Sequence, residues 1–373
     1  MYRIGVILGT RPEAIKLAPV VHALRLDSSD FEVELIATCQ HGNLFTSACK
    51  DLDIWPDWFL QANQSSHPDI FMADVLVRLD RLMTSGDVAA PYDLVLVQGD
   101  TTTALAGALF AYYRQWPVGH VEAGLRTYNT AFPWPEEVHR RAISLIAKLH
   151  FVPTTVAMDN LQNERVNGAA FLTGNTIVDA MQLMGVNPPS DDSVSARSVV
   201  ITVHRRENHG APLRGIVDAV RSYAEARQDL VFKWVMHPNP AIYDALKGEA
   251  FPRNVTVVEP LPYKEFLPLL ASASLVMTDS GGVQEEAAAL NVPTVILRRT
   301  TDRIESVRVK AAILAGSDRD SIHNAANRLL GQRNRVDTRK IYGDGQASRC
   351  IVKAIKDFLY ETHLSDQTAK RTR

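Results

Sequence analysis

The sequence predicts an α/β protein made of two domains, each a doubly wound parallel sheet. Three observations carry this. Short apolar runs without polar alternation recur along the chain, as strands buried on both faces require. Helical patterns separate them, which is the spacing of βαβ units. The alternation then starts again after a stretch rich in Pro, Ser and Asp, Gly185 to Ser198, the best candidate for an interdomain connection or surface loop.

In the first half, RIGVIL is a strand and Pro12 to Leu26 a helix. VELIAT is the next strand. YDLVLVQGD is fully apolar until it stops at Asp100, and a helix follows over TTALAGALFAYYR. VGHVEAG is a strand, PEEVHRRAISLIAK a helix, and HFVPT and AFLTGN continue the pattern. In the second half SVVITVH, FKWVMHP, VTVVEP, LVMT and PTVILR are strands. Helices cover Pro212 to Ala226, YKEFLPLLASA and the residues after Gly282. A last helix lies around Arg349 to Tyr360. The expected division is residues 1–175 and residues 176–354, with the C-terminal helix at about 355–373 fitting either domain by its pattern alone. Both domains are Rossmann-like, and ligands of such sheets bind outside the carboxyl ends of the strands, here in a cleft between the two.

Composition narrows the function. The 373 residues are 46% hydrophobic and 22% charged, with a net charge of −2 and no long run of one sign. That argues against a nucleic-acid or membrane-surface partner but allows an anionic small molecule. The three cysteines are scattered, so no zinc ribbon or disulfide framework is expected. The N-terminal apolar run ends in Arg11 and Glu13, unlike a signal peptide. No apolar run approaches the roughly 20 residues of a membrane span. A cytoplasmic protein is expected.

The informative residues follow the strands. In GTRPEAIK, Thr10 and Glu13 have capping-box spacing and Pro12 fits the first helical turn. Arg11 and Lys16 oppose the helix dipole there, so either Glu13 or a bound phosphate compensates them. TDSGGVQEEAAAL places Gly281 and Gly282 between a strand and a helix. They serve either as a phosphate-binding turn or as part of a helix start capped by Asp279 or Ser280. No Walker or Gly-x-Gly-x-x-Gly fingerprint is present, so dinucleotide binding is unsupported. Asp100 ends the most apolar strand and either caps the next helix or works chemically. Glu122, among Val, Ala and Gly at a strand end, is harder to read as structural, since burial suits a carboxylate to proton transfer. Glu136 and Glu137 are either helix-start acids or catalytic. His204, with Arg205 and Arg206, directly follows a strand, and His237 is a weaker counterpart. No tightly held metal and no cofactor are expected. The residues suggest a nucleotide sugar or related phosphorylated substrate, without choosing among transfer, hydrolysis and isomerisation.

Taken in order, GTRPEAIK, GDTTT, GHVEAGLRT, PWPEE, TGNT, HRREN, TDSGGVQEEA and YGDGQAS closely resemble the non-hydrolysing UDP-N-acetylglucosamine 2-epimerases. The resemblance spans about Gly9 to Ser348. It implies the glycosyltransferase-B fold, two Rossmann-like domains with the C-terminal helix returning to the first. It also implies a cytoplasmic, usually dimeric isomerase that interconverts UDP-GlcNAc and UDP-ManNAc for surface polysaccharides of the cell envelope. Carbon 2 of the sugar has no carbonyl neighbour, so its proton is not acidic. The family therefore eliminates UDP across carbons 1 and 2, forms 2-acetamidoglucal, and adds UDP back while a proton reaches the other face.

By motif, the resemblance makes Asp100, Glu122 and Glu136 the catalytic acids and His204 the active-site histidine. Arg11 and Lys16 become phosphate-side cations, and Arg140 and Arg303 further substrate-site arginines. Ser280, Gly281 and Gly282 become the diphosphate turn, Glu286 the ribose ligand, and Phe266 the neighbour of the uracil. His237 joins the substrate-binding set. Three places depart from the family. QHGNL, Gln40 to Leu44, replaces Gln-His-Arg-Glu/Gln-Met in a loop where some members bind a second UDP-GlcNAc as activator, and Gly42 and Asn43 depart from the family there. His139 stands where asparagine is usual, beside the sugar site. TTDRIE replaces Thr-Thr-Glu-Arg-Pro-Glu. The alternatives are a hydrolysing relative, which typically reads Thr-Arg-Ala-Glu-Tyr at residues 10–14, a glycosyltransferase of the same fold, and a non-enzymatic nucleotide-sugar sensor.

Overall fold

The structure, a computed structural model, describes residues 1–373 except 41, 64, 66, 89–90, 188–196, 238, 333–335 and 372–373. Most of the predicted connection from Gly185 to Ser198 lies outside the described residues. The chain forms two compact units, residues 1–183 with 343–373, and residues 184–342.

Unit 1 begins β1 (Tyr2–Leu8), α1 (Arg11–Leu26), β2 (Phe31–Ala37), α2 (Gly42–Asp51), β3 (Trp58–Phe59) and α3 (Pro68–Thr84). It continues β4 (Leu94–Gln98), α4 (Thr102–Tyr113), β5 (Val118–Val121), α5 (Glu136–Ile146), β6 (Leu149–Val152), α6 (Thr155–Glu164), β7 (Ala169–Leu172) and α7 (Thr176–Leu183). Its seven strands run in the order β3-β2-β1-β4-β5-β6-β7, with every pair parallel. β4 is buried along its whole length, as its unbroken apolar run requires. Helices cover the sheet, and Ile7, Ile36, Val75, Leu79, Val95 and Val97 share one core. Each such side chain contributes about 1.5–3 kcal/mol by leaving water.

Unit 2 contains β8 (Ser198–Thr202), a short 3-10 turn (Arg206–Asn208), α8 (Ala211–Ala226), β9 (Val231–Val235), α9 (Pro240–Leu246) and β10 (Val255–Val258). It goes on to α10 (Tyr263–Ala271), β11 (Leu275–Thr278), α11 (Gly281–Ala289), β12 (Thr294–Ile296), α12 (Ile304–Arg308), β13 (Ala312–Leu314) and α13 (Arg319–Leu330). Its six parallel strands are ordered β10-β9-β8-β11-β12-β13. Trp234, Ile201, Met277 and Val295 anchor its core with Ile216 and Ile322 from the helices.

α14 (Ala347–Arg371) belongs to unit 1. Asp179 of α7 explains how. Its Oδ1 accepts from the Ser348 amide (2.8 Å) and hydroxyl (2.6 Å), and its Oδ2 from the Ala347 amide (3.3 Å). Farther along, Lys356 pairs with Asp27 and Asp30, and Tyr360 packs edge-on against Tyr2. The sequence division at 175/176 and 354/355 thus moves to 183/184 and 342/343, because α7 and α14 pack on α1 and on each other within the first unit. Both sheets are doubly wound, and the last helix returns to the first unit, which is the connectivity of the glycosyltransferase-B fold. Among the described residues no helix is long and apolar enough to cross a membrane.

Candidate active site

In each sheet the strand order reverses once, between β1 and β4 in unit 1 and between β8 and β11 in unit 2. Such switch points are where open α/β sheets leave a crevice. Several of the predicted residues, among them Asp100, His204 and Ser280, lie in the turns that flank them.

After β1, the Thr10 side chain caps α1 and Glu13 closes the capping box. Glu13 Oε2 accepts from the amides of Gly9 (3.0 Å) and Thr10 (2.7 Å). Its Oε1 accepts from the Thr101 hydroxyl at 2.6 Å, which joins the β1 turn to the β4 turn. Burial pushes the Glu13 carboxyl from the usual 4.5 up to about 7. Folded Glu13 therefore holds its proton at pH values where the unfolded chain has lost it. The stability this gives is fully present below about pH 4.5 and is lost as pH rises through about 7. Glu13→Gln mimics the protonated acid, so it is expected to flatten the fall in stability between those values. Urea unfolding across that range checks this, and a slope identical to wild type would remove Glu13 as its source.

Lys16 faces inward from α1 and forms a salt bridge with Glu122 Oε2, both side chains at most 5% exposed. The sequence reading gave Lys16 to the phosphate. The fold engages it with a carboxylate, because its side of α1 is buried against the sheet. Glu122 directly follows β5 and has φ +66°, in the left-handed region. A non-glycine residue there is strained, and such strain concentrates at functional sites. Asn175 Nδ2 also reaches Glu122 Oε2, at 3.4 Å. Within the TGNT motif nothing local marks Asn175 as a partner of Glu122, which lies 53 positions away.

Asp100 follows β4 through Gly99, whose φ of +69° suits glycine. A side chain at Gly99 would point toward Glu122 Oε1, 4.0 Å from its first carbon, so the two acids occupy adjoining turns. Arg140, on α5 and 4% exposed, pairs with Asp100 Oδ2 and lies 3.5 Å from Glu137 Oε2. The arginine expected at the substrate thus holds one of the acids.

The two acids at the start of α5 separate by environment. Glu137 is fully buried and accepts from the amides of Thr127 (3.0 Å) and Tyr128 (2.9 Å), so it fixes the preceding loop. Glu136 is half-buried at the first position of the helix. Arg11 is half-buried at the first position of α1. Of the QHGNL loop, Gln40 accepts from the Thr103 hydroxyl at 2.9 Å, and His41 lies outside the described residues.

In unit 2, Ser280 caps α11, its hydroxyl accepting from the Val283 amide at 3.4 Å. The helix starts at Gly281, so the amides of Gly281 and Gly282 belong to its anion-attracting end. Asp279 is not the cap. Its buried carboxylate accepts from the amides of His204 (3.0 Å) and Arg205 (2.9 Å) and from Asn208 Nδ2 (2.8 Å), tying the β8 turn to the end of β11. Burial raises its pKa. The His204 ring stacks on His237 with centroids 5.0 Å apart. His237 Nδ1 accepts from the Asn239 amide at 3.2 Å, so the neutral ring carries its proton on Nε2.

Arg303 supports the glycine turn. A Cβ on Gly281 would lie 3.0 Å from Arg303 Cζ, so only glycine fits there without moving the guanidinium. That guanidinium is committed to Glu285 (2.8 Å) and to Asp302. Asp302 in turn lies 3.8 Å from Arg298, whose Nε donates to Glu207 at 2.6 Å. Alternating charges therefore run from the HRREN turn to α11, a pairing that residue order does not show. Glu286 is buried in α11 and Phe266 in α10.

The profile of the UDP-N-acetylglucosamine 2-epimerase family matches residues 23–356. The UDP-N-acetylglucosamine 2-epimerase of Bacillus subtilis strain 168 is 38% identical over 364 residues, covering 95% of this chain and 94% of that protein. Among solved structures, S. aureus MnaA in its co-structure with UDP superposes with a TM-score of 0.87 at 34% identity, over 96% of this chain and 97% of that one. The UDP-GlcNAc 2-epimerase from Neisseria meningitidis bound to UDP-GlcNAc gives 0.85 at 32%, over 96% and 100%. On these matches, the chain belongs to the UDP-N-acetylglucosamine 2-epimerase family and is an isomerase of that family.

Proposed function

We propose that the enzyme reversibly epimerises carbon 2 of UDP-N-acetylglucosamine to give UDP-N-acetylmannosamine, or acts on a closely related UDP-2-acetamido sugar, without releasing the free sugar. The observation that carries this is the buried Lys16–Glu122 pair at a strained strand end, beside the Asp100–Arg140 pair. Two carboxylates held by cations in adjoining turns suit removal of a proton from one face of a ring and delivery to the other. In the forward step the proton of carbon 2 passes to a carboxylate as the carbon 1–oxygen bond breaks. That gives 2-acetamidoglucal and UDP. In the return step a UDP oxygen attacks carbon 1 while a proton adds to carbon 2 from the opposite face. Asp100, Glu122 and Glu136 form the proton-handling set, and His204 is assigned an active-site role on the resemblance.

The departing diphosphate accumulates negative charge, and the amides of the Ser280–Gly281–Gly282 turn at the start of α11 offset it. Arg11 is assigned to the phosphates on the resemblance. Relatives crystallised with UDP and with UDP-GlcNAc support a UDP-sugar substrate. Glu286 and Phe266 are assigned to the ribose and the uracil, and Arg303 acts by supporting the turn. A homodimer, a cytoplasmic location and a role in cell-envelope polysaccharide synthesis are part of the proposal and rest on the resemblance. Ala14 weighs against the hydrolysing reading, because it is fully buried where those relatives carry tyrosine.

Incubation with UDP-GlcNAc in heavy water, read by proton NMR, tests the reading. UDP-ManNAc deuterated at carbon 2 is expected. Free N-acetylmannosamine with UDP would establish the hydrolytic reaction instead, and no exchange with any UDP-2-acetamido sugar would end the proposal.

A further inference from the structure

The turn that carries Asp100 is held at four successive points. His120 Nε2 lies 2.7 Å from the Gly99 carbonyl oxygen, and His139 Nδ1 lies 3.0 Å from the Asp100 carbonyl oxygen. Arg140 pairs with the Asp100 carboxylate, and Thr101 donates to Glu13. A carbonyl only accepts, so each histidine is the donor: His120 carries its proton on Nε2 and His139 on Nδ1. Burial pushes His120 to about 3 and lowers His139 below the ordinary histidine value, so both are neutral near pH 7.

His139 and Arg140 are consecutive on α5. Adjacent helical residues point about 100° apart, so they do not normally serve one partner. Here they converge on one residue, His139 on its backbone and Arg140 on its side chain. We propose that His139 is a positioning residue for Asp100, its Nδ1–H fixing the Asp100 peptide plane so that the carboxylate held by Arg140 meets the substrate at a set angle. This rests on Asp100 being one of the proton-handling carboxylates. A histidine that only filled space would need no donor at Nδ1. The hydrogen bond itself contributes about 1 kcal/mol to folding, whereas a misplacement of about 1 Å at a reacting group can cost a hundredfold in rate. Positioning therefore shows in turnover far more than in stability.

Amide side chains separate the two ring nitrogens. Asparagine places its NH2 near the position of Nδ1, and glutamine places its NH2 near that of Nε2. His139→Leu is expected to lower kcat for carbon-2 exchange about tenfold or more, with KM and UDP affinity by calorimetry within about twofold of wild type. His139→Asn is expected to recover kcat to within about threefold, and His139→Gln to stay near the leucine variant. Wild-type kcat in His139→Leu, a loss confined to KM, or recovery by glutamine equal to that by asparagine would each overturn the proposal.

A second readout needs no activity. In the full-length protein labelled with 15N-histidine, the signal that disappears in His139→Leu should be that of an Nδ1–H tautomer. An Nε2–H tautomer there overturns the proposal. Should the wild-type enzyme exchange nothing at carbon 2, the functional reading fails separately. His139 is then judged on this spectrum and on a crystal structure of His139→Leu, in which an unmoved Asp100 would end its positioning role.

Discussion

Glu122→Gln is expected to bind UDP as wild type does and to exchange hydrogen at carbon 2 at least about a hundredfold more slowly, the lower range for loss of an acid–base group. Glutamine keeps the size of the side chain and its acceptor oxygen, so Lys16 and Asn175 retain a partner. What it loses is the capacity to take and return a proton. UDP calorimetry and the heavy-water assay read the two halves of this expectation. Full activity in the variant would remove Glu122 from the mechanism. Lost UDP affinity with proportionate loss of rate would make it a binding residue.

Lys16→Met is expected to destabilise the protein strongly. Removing one partner of a buried ion pair typically costs about 3–5 kcal/mol, because the remaining charge has no compensation. With both side chains almost wholly out of water, Glu122 then either stays charged at that cost or takes up a proton. The double variant Lys16→Met, Glu122→Gln removes both charges and is expected to regain most of the loss, since neutral replacement of a buried pair is often tolerated. Chemical denaturation of the three variants measures the coupling. A double variant no more stable than Lys16→Met alone would show that the pair does not set the stability.

The parts of the fold that were readable in the sequence are those governed by neighbours in the chain. β4 and β11 appear as unbroken apolar runs because both faces are covered. The box formed by Thr10 and Glu13 is a contact over three residues, so its spacing alone reveals it. α3 is marked less plainly: Phe71, Val75, Leu79 and Met83 recur every fourth residue and are all buried, but mixed polar residues separate them.

The site was legible in its members but not in their pairing. Lys16 and Glu122 are 106 positions apart, and no local pattern says that the ammonium faces an acid rather than a phosphate. Glu136 and Glu137 are equivalent by spacing. Only the amides of Thr127 and Tyr128, brought back by the loop, make Glu137 structural. Asp279 and Ser280 both had the chemistry of a helix cap. The carboxylate went to the His204 turn because β8 lies beside β11 in the sheet, which residue order does not show.

The hold of Asp179 on the start of α14 bears on how the chain is made. Residues 184–342 are contiguous and finish emerging from the ribosome together, so that unit has every strand it needs before synthesis passes residue 343. The unit begun first lacks a helix until then, with the Asp179 carboxylate awaiting the amides of Ala347 and Ser348. Domains usually mature in order of translation. In this chain the unit started second is the first whose sequence is complete, and the half bearing the acids receives its last helix only afterwards.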